Sequence, residues 1–323
     1  AGSLRVGPFT EADNDDHGEL WTPPMPTDDL RIEVEVPFDA LGELQIELTQ
    51  VHHGYAGFGE PPPKSGECHR HVACDESELW SEQVRSVALV SIAGVRFCSG
   101  FLVNNTARDG RPFFLTANHC GVTPANAASV VVLWNHQQAS CDTSVPEPQD
   151  WNAFQSGAIY RAAHRPSDTV LLELDDPPDP QFDVYYAGWD RSLADPAWST
   201  VIHHPNTDLK RISFDDDPAR TTAHLSDARW AGGNHLRIGA WDRGSTEGGS
   251  SGAPLFNQDK RVVGQLHGGY AACGEAEPDW FGRFSAAWTG YGRPGLRLSD
   301  WLDPLNTGVE VLDGMDAPVR SSQ

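Results

Sequence analysis

Three stretches carry residue types that could do covalent chemistry. The first is Gly248-Gly-Ser-Ser-Gly-Ala-Pro. A serine among glycines can be turned out sharply with no side-chain crowding, which a nucleophilic hydroxyl requires. Gly249, two residues before Ser251, can aim its N–H where an oxyanion would form. The second stretch is Phe113-Phe-Leu-Thr-Ala-Asn-His-Cys, which sets His119 directly after an apolar run and beside a cysteine. A ring pinned in this way suits a general base. The third is Arg165-Pro-Ser-Asp-Thr-Val-Leu-Leu, with Asp168 at the mouth of another apolar run. An acid so placed needs a donor, and an imidazole N–H is a natural one. Singly these residues read equally as a core histidine, a turn acid and a turn serine. In the order His, Asp, Ser they fit a base, its orienting carboxylate and a nucleophile for acyl transfer.

The elements that would position them are short strands. From Cys68 onward, apolar segments separated by Gly, Pro, Asn and Asp predict strands over 85–92, 95–103, 112–116, 129–134, 169–174, 184–188, 200–204, 210–214, 235–241, 253–256 and 261–266. Such a series predicts an all-β barrel or sandwich and not a parallel α/β sheet. One helix is expected over 296–304, stopped by Pro304. Residues 1–64 read as a separate unit, carrying thirteen acidic against three basic residues. Leu30-Arg-Ile-Glu-Val-Glu-Val-Pro and Leu44-Gln-Ile-Glu-Leu-Thr-Gln-Val alternate apolar and polar positions, which predicts two half-exposed strands that pair with each other. The stiff Glu60-Pro-Pro-Pro-Lys-Ser-Gly reads as a linker open to proteolysis, dividing 1–64 from 65–323.

Composition sets bounds. With 323 residues the chain can bury a substantial core. The formal charge of −23, from 46 acidic and 23 basic residues, argues against nucleic acid as a partner. The sequence has no apolar run of membrane-spanning length, and it opens at Ala1 without a basic and apolar leader, so a soluble chain lacking or having lost its signal peptide is expected. Six cysteines without a zinc-type spacing point to disulfides and an oxidising compartment. The pairs His52-His53, His69/His71 and His203-His204 raise the question of a metal. Adjacent residues on a strand aim oppositely, and neither a metal nor a cofactor is expected.

Longer motifs carry a resemblance. Cys98-Ser-Gly-Phe-Leu-Val-Asn-Asn-Thr, Phe114-Leu-Thr-Ala-Asn-His-Cys-Gly, Ala187-Gly-Trp-Asp-Arg, Ile202-His-His-Pro-Asn, Gly264-Gln-Leu-His-Gly-Gly and Leu298-Ser-Asp-Trp-Leu-Asp-Pro resemble the bacterial lysyl endopeptidases, from about Cys68 to Gly314. The resemblance implies a secreted, trypsin-like serine protease domain with the chymotrypsin-like double six-stranded antiparallel β-barrel and a short C-terminal helix. It makes 1–64 the β-rich end of a propeptide. It assigns His119 as base, Asp168 as its carboxylate, Ser251 as nucleophile, and the N–H groups of Gly249 and Ser251 as the oxyanion hole. It implies the pairs Cys68–Cys273, Cys74–Cys141 and Cys98–Cys120, and a monomer acting on protein or peptide substrates.

For specificity, the trypsin-type aspartate six residues before the nucleophile is absent, since that position is Ser245. The resemblance instead points to Asp279, in Pro278-Asp-Trp-Phe-Gly-Arg, as the charge that meets a lysine; Glu275, Glu277 and Asp242 are rival acids. His267 and Gly268 fall on the segment that pairs with the substrate backbone, and Trp230 matches a tryptophan stacked on that histidine. The residue before the nucleophile is Ser250, so a new amino terminus cannot pair there as in chymotrypsin-type zymogens. Lys64–Ser65 would be a self-made maturation site. The chain's three lysines, Lys64, Lys210 and Lys260, fit resistance to self-cleavage. Competing readings are a related protease preferring arginine or mixed basic residues, and a catalytically silent binding protein of the same fold.

Overall fold

A computed structural model describes residues 5–25, 27, 29–52, 65–141 and 151–318. The Pro-rich linker and Lys64 lie outside the described residues. Two antiparallel systems hold the chain together. The first contains β1 (Val87–Ile92), β2 (Arg96–Leu102), β3 (Phe113–Ala117), β4 (Val130–Leu133), β5 (Ala158–His164) and β6 (Thr169–Leu174), in spatial order β4-β1-β2-β3-β6-β5. The second contains β7 (Ser199–His203), β8 (Arg211–Asp215), β9 (His235–Ile238), β10 (Pro254–Phe256), β11 (Val262–Gly269) and β12 (Asp279–Arg283), in order β8-β7-β10-β11-β12-β9.

Short edge strands extend both sheets. Phe154–Ser156 adds to β4, while Arg70–His71, Arg220–Thr222, Trp189–Asp190 and Val311–Leu312 extend the second. The first sheet closes on itself, because Phe154–Ser156 at one end of the path runs through the single residue Gly157 into β5 at the other. The second curls likewise: Phe214 on β8 bridges Arg243, just beyond β9 at the far end of its path. These are the two six-stranded barrels of the chymotrypsin-like fold.

Strand patterning explains why these segments are continuously apolar. On β3, Phe114 points into the first barrel with Val90, Trp134 and Leu172, while its neighbours Phe113 and Leu115 point the other way. That second face joins Ile202, Ile212, Phe256, Trp189 and Phe284 in a layer between the barrels. On β7, Val201 faces the second barrel's interior, with Leu236, Leu255 and Phe281, and Ile202 faces the interbarrel layer. A strand buried on both faces has no polar face to alternate. Truncating a wholly buried side chain such as Phe114 to alanine costs about 3–5 kcal/mol.

The structure departs from the sequence reading at several places. The expected strand over 85–92 begins instead as helix α1 (Ser81–Ser86). Two barrel strands were not foreseen. β5 is masked by its polar residues and by a bulge between Tyr160 and Ala162. β12 contains Gly282, where a Cβ would sit 1.7 Å from the Ser167 carbonyl oxygen. Helix α2 (Phe284–Thr289) was also not foreseen. The helix expected over 296–304 is the four-residue α3 (Ser299–Leu302).

The paired strands expected at 30–37 and 44–51 are absent. Among the described residues of 5–52 the only helical or strand elements are the single 3-10 turns Glu11–Asp13 and Phe38–Ala40. Alternation specifies a strand only where an edge offers hydrogen bonds and cover. Both barrels are closed or capped, and Leu30, Ile32 and Val34 stand exposed. Residues 7–21 do touch the first barrel: Phe9 meets Phe154 edge-on at 6.1 Å, and the Trp21 N–H donates to Ser156 Oγ at 2.9 Å.

The six cysteines pair as Cys68–Cys273, Cys74–Cys141 and Cys98–Cys120, the pairing that the resemblance implies. No helix among the described residues is long and apolar enough to cross a membrane.

Candidate active site

Three loops converge where the barrels meet. His119 lies on the short turn Asn118–Cys120 that follows β3, and the Cys98–Cys120 bridge ties this turn to β2. Asp168 ends the turn Arg165–Ser167 with φ of 54°, immediately before β6. That left-handed residue reverses the chain so that its own carbonyl accepts from Asn118 N–H at 2.8 Å and from Gln265 Nε2 at 3.1 Å. Ser251 precedes β10 and is locked from both barrels: its carbonyl accepts from Ser99 N–H on β2, and Gly252 N–H donates to Leu266 O on β11. The flanking glycines are required. Gly249 has φ of +88° and a Cβ there would lie 2.8 Å from His204 O; Gly252 has φ of +83° and its Cβ would lie 2.4 Å from Ser99 O.

The convergence brings the three groups into one line. Asp168 Oδ2 stands 2.5 Å from His119 Nδ1, and Asp168 Oδ1 accepts the His119 backbone N–H at 2.8 Å. The ring is thereby held from two directions, with its far nitrogen Nε2 placed 2.8 Å from Ser251 Oγ. Asp168 is buried, whereas the His119 side chain is open to solvent on one flank. Neither Gly249 N–H nor Ser251 N–H donates to a protein acceptor among the described residues. Two adjacent free donors beside a hydroxyl are a seat for a developing oxyanion.

Behind this line lies a column of histidines. His267, near the end of β11, lies roughly parallel to His119 with ring centroids 5.6 Å apart, and its Nε2 is 3.7 Å from Asp168 Oδ2. Its other nitrogen, Nδ1, is 2.9 Å from His235 Nε2. Burial, with neighbouring histidines adding to it, brings His235 down to about 3 and, despite the Asp168 charge, His267 down to about 4, so both rings are neutral at neutral pH.

The ring that covers His267 is His224, stacked at 3.7 Å and 9°. The expectation for Trp230 is corrected here: its side chain is 58% exposed and makes no ring contact with His267. Its backbone N–H bonds to Thr221 O, which turns the loop so that His224, three residues beyond Thr221, supplies the stacked ring. Gly268 adopts φ of +141° at a bulge between β11 and β12, which leaves the strand beyond His267 open on one side.

Asp279 opens β12 opposite Gly269, only 1% exposed, while the rival acids Asp242, Glu275 and Glu277 are all exposed. Its Oδ2 accepts from Thr246 Oγ1 at 2.6 Å and Trp241 Nε1 at 2.8 Å. Burial pushes its carboxyl above the usual carboxylate range, against the opposing pull of those bonds and of the Ala271 backbone N–H. Oδ1 faces Gly269, where a Cβ would come within 2.4 Å of it. Ser245 is buried, and its hydroxyl contacts the Thr246 carbonyl. Thr246 and Trp241 were missed from the sequence; Thr246 is only five residues before Ser251, but its role is set by where β12 passes.

Two groups of potential metal ligands come together among the described residues, each with its ligand atoms within 4.8 Å. Cys68, His69 and Cys273 form one, but both sulfurs are joined in a disulfide. The other is His119, Asp168 and His267, where Asp168 already binds His119.

The model of the lysyl endopeptidase C-terminal domain matches residues 63–282. A lysyl endopeptidase of Pseudomonas aeruginosa is 28% identical over 299 residues, covering 83% of this chain and 62% of that protein, so the chain spans under two thirds of that relative's length. Among solved structures, a mutant of human heparin binding protein overlaps 71% of this chain and 95% of its own, at 17% identity and a TM-score of 0.46. The HtrA-type protease AlgW with a tripeptide overlaps 63% of this chain and 57% of its own, at 12% identity and a TM-score of 0.42. With the family model spanning well over half of its length, the chain belongs to the lysyl endopeptidase family.

Proposed function

We propose that the protein is a secreted serine endopeptidase that hydrolyses peptide bonds on the carboxyl side of lysine. The observation that carries this reading is the line Asp168–His119–Ser251, with a buried carboxylate, Asp279, bonded to Thr246 on the segment that leads into Ser251. His119 Nε2 takes the Ser251 proton as Oγ attacks the scissile carbonyl, and Asp168 stabilises the imidazolium that forms. The oxyanion rests on the Gly249 and Ser251 N–H groups. His119 then protonates the leaving amine, and water, activated by the same ring, releases the acyl group.

Lysine is favoured by the state of the Asp279 carboxylate. A guanidinium forks across two free carboxylate oxygens, whereas an ammonium needs one. Thr246 and Trp241 already occupy Oδ2, and the Ala271 backbone N–H also bonds the carboxyl, so the group suits a point contact better than a two-pronged one. A glutamate side chain would meet like charge. Three disulfides and the charge of −23 suit an extracellular protein.

The test is cleavage of matched substrates with Lys, Arg, Glu or Leu before the scissile bond, alongside labelling by a serine-directed phosphonate. Equal rates on lysine and arginine would remove the lysine claim and keep the protease. No labelling by the phosphonate would favour a binding protein.

A further inference from the structure

The segment that begins at Ser65 is fastened to the loop that presents Ser251, although the two are far apart in sequence. The Ser65 N–H donates to Asp208 Oδ2 at 3.3 Å, and Ser65 Oγ donates to the same oxygen at 2.6 Å. The next N–H, of Gly66, donates to Glu247 Oε1 at 3.3 Å. Gly66 must be glycine here, since a Cβ would lie 2.3 Å from Cys273 Sγ, and the Cys68–Cys273 bridge then pins the segment.

Asp208 and Glu247 in turn brace the nucleophile loop. Asp208 closes the turn Pro205–Thr207, whose Asn206 N–H donates to Gly248 O at 2.5 Å and whose Asn206 Nδ2 donates to Glu247 Oε2 at 2.6 Å. Gly249 packs against the same turn at His204 O and Thr207 N. One continuous set of contacts therefore runs from Ser65 N to the residues that carry the oxyanion donors.

We infer that Asp208 is the receptor for an α-ammonium at Ser65, created by hydrolysis of the Lys64–Ser65 bond, and that this ion pair orders Gly248–Ser251. The idea rests on cleavage after lysine for how the bond is cut in nature, but not for how the new terminus acts. Water adds across the peptide bond, leaving a carboxylate on Lys64 and an ammonium on Ser65. The neutral N–H that now faces Asp208 becomes a charged donor, and charge-assisted bonds are roughly twice as strong as neutral ones. The pairing does for this chain what its Ser250 cannot do.

The charged and titratable groups that surround Ser65 N are Asp208, Glu247, Arg211, His69 and His71. Arg211 Nη2 donates to Asp208 Oδ2 at 2.8 Å, and His69 Nε2 lies 3.4 Å from Glu247 Oε2. His71 contacts Arg211. Burial, with Arg211 adding to it, holds both histidines below their usual range, against the opposing pull of Glu247 on His69, so neither competes as a cation at neutral pH. An ordinary α-amine titrates near 8, so the ion pair is present at neutral pH and is lost in alkali.

The experiment replaces 61–64 with a factor Xa site (Pro61→Ile, Pro62→Glu, Pro63→Gly, Lys64→Arg), so that the full chain can be cut before Ser65 without its own lysine preference. Phosphonate labelling of Ser251 and hydrolysis of a lysyl amide are followed before and after cutting. The expected result is a rise in labelling rate of roughly tenfold, the size of one charge-assisted contact, with an alkaline limb that appears only in the cut chain. In Asp208→Asn cutting should produce no rise. A second version, cut so that one extra glycine precedes Ser65, keeps Asp208 intact, displaces the amine, and should also stay low. Equal activation in all three would overturn the receptor and leave removal of 1–64 as the cause. Labelling that rises as described, with no hydrolysis of the lysyl amide, would refute the lysine preference and retain the receptor.

Discussion

Replacing Asp279 by asparagine separates the pocket charge from everything else in the site. The amide keeps one oxygen for Thr246 Oγ1 and Trp241 Nε1, so the bonds at 2.6 and 2.8 Å survive while the negative charge is lost. A lysine ammonium entering the Asp279→Asn pocket is a buried cation without its partner. Removing one member of a buried pair costs about 3–5 kcal/mol, which at 1.36 kcal/mol per decade is roughly two to four decades in kcat/KM. The assay is hydrolysis of matched lysyl and leucyl amides. The lysyl rate should collapse while the leucyl rate and phosphonate labelling stay unchanged.

Stability should move the other way. Burial raises the folded-state pKa of Asp279, so the ionised carboxyl costs stability at neutral pH. That cost is absent below the unfolded value of about 4 and grows as pH rises through the folded one. Asparagine carries no such cost, and the melting temperature at pH 7 should rise in Asp279→Asn but match wild type in acid. A loss on lysine under tenfold, or an equal loss on leucine, refutes the assignment of the pocket.

Other outcomes follow from the same geometry. Ser251→Ala should remove about six decades of kcat and abolish phosphonate labelling without changing peptide binding, which is measured by inhibitor titration. His224→Ala removes the ring stacked on His267 at 3.7 Å; since an aromatic pair contributes about 0.5–1.5 kcal/mol, kcat should fall roughly two- to tenfold with KM unchanged, and His224→Trp should restore it. The double variant Cys68→Ser, Cys273→Ser opens a bridge across a separation of 205 residues and should lower unfolding free energy by about 2–5 kcal/mol in a denaturant titration.

What could be read in the sequence depended on whether the cause lay near the residue. Ser251 sits among glycines whose positive φ angles force the turn, so the local pattern carries its own reason. His119 and Asp168 follow or precede strands buried on both faces, and continuous apolar runs are plain in sequence. Asp279 stood out by motif resemblance more than by chemistry. Three other acids stood as rivals, and only folding shows that Asp279 is the buried one. Thr246, Trp241, His224 and Glu247 escaped notice because each acts on a residue that another strand brings up.

The two misjudged aromatic and apolar features share a cause. Trp230 was placed by its match to a position, but a stack depends on the path of the loop, and the backbone bond from Trp230 N–H to Thr221 O swings that side chain into solvent. The alternating stretch at 30–37 has every local requirement of a strand except an unpaired edge to receive it. The stretch lies exposed, and burying its apolar side would require backbone partner groups that closed barrels do not present. Pattern states which face a segment could bury; the topology of the rest of the chain decides whether anything is there to bury it against. The line Asp168–His119–Ser251 could be read ahead because each member borders a local signal, a glycine turn or a continuous apolar run, that the two barrels then bring together.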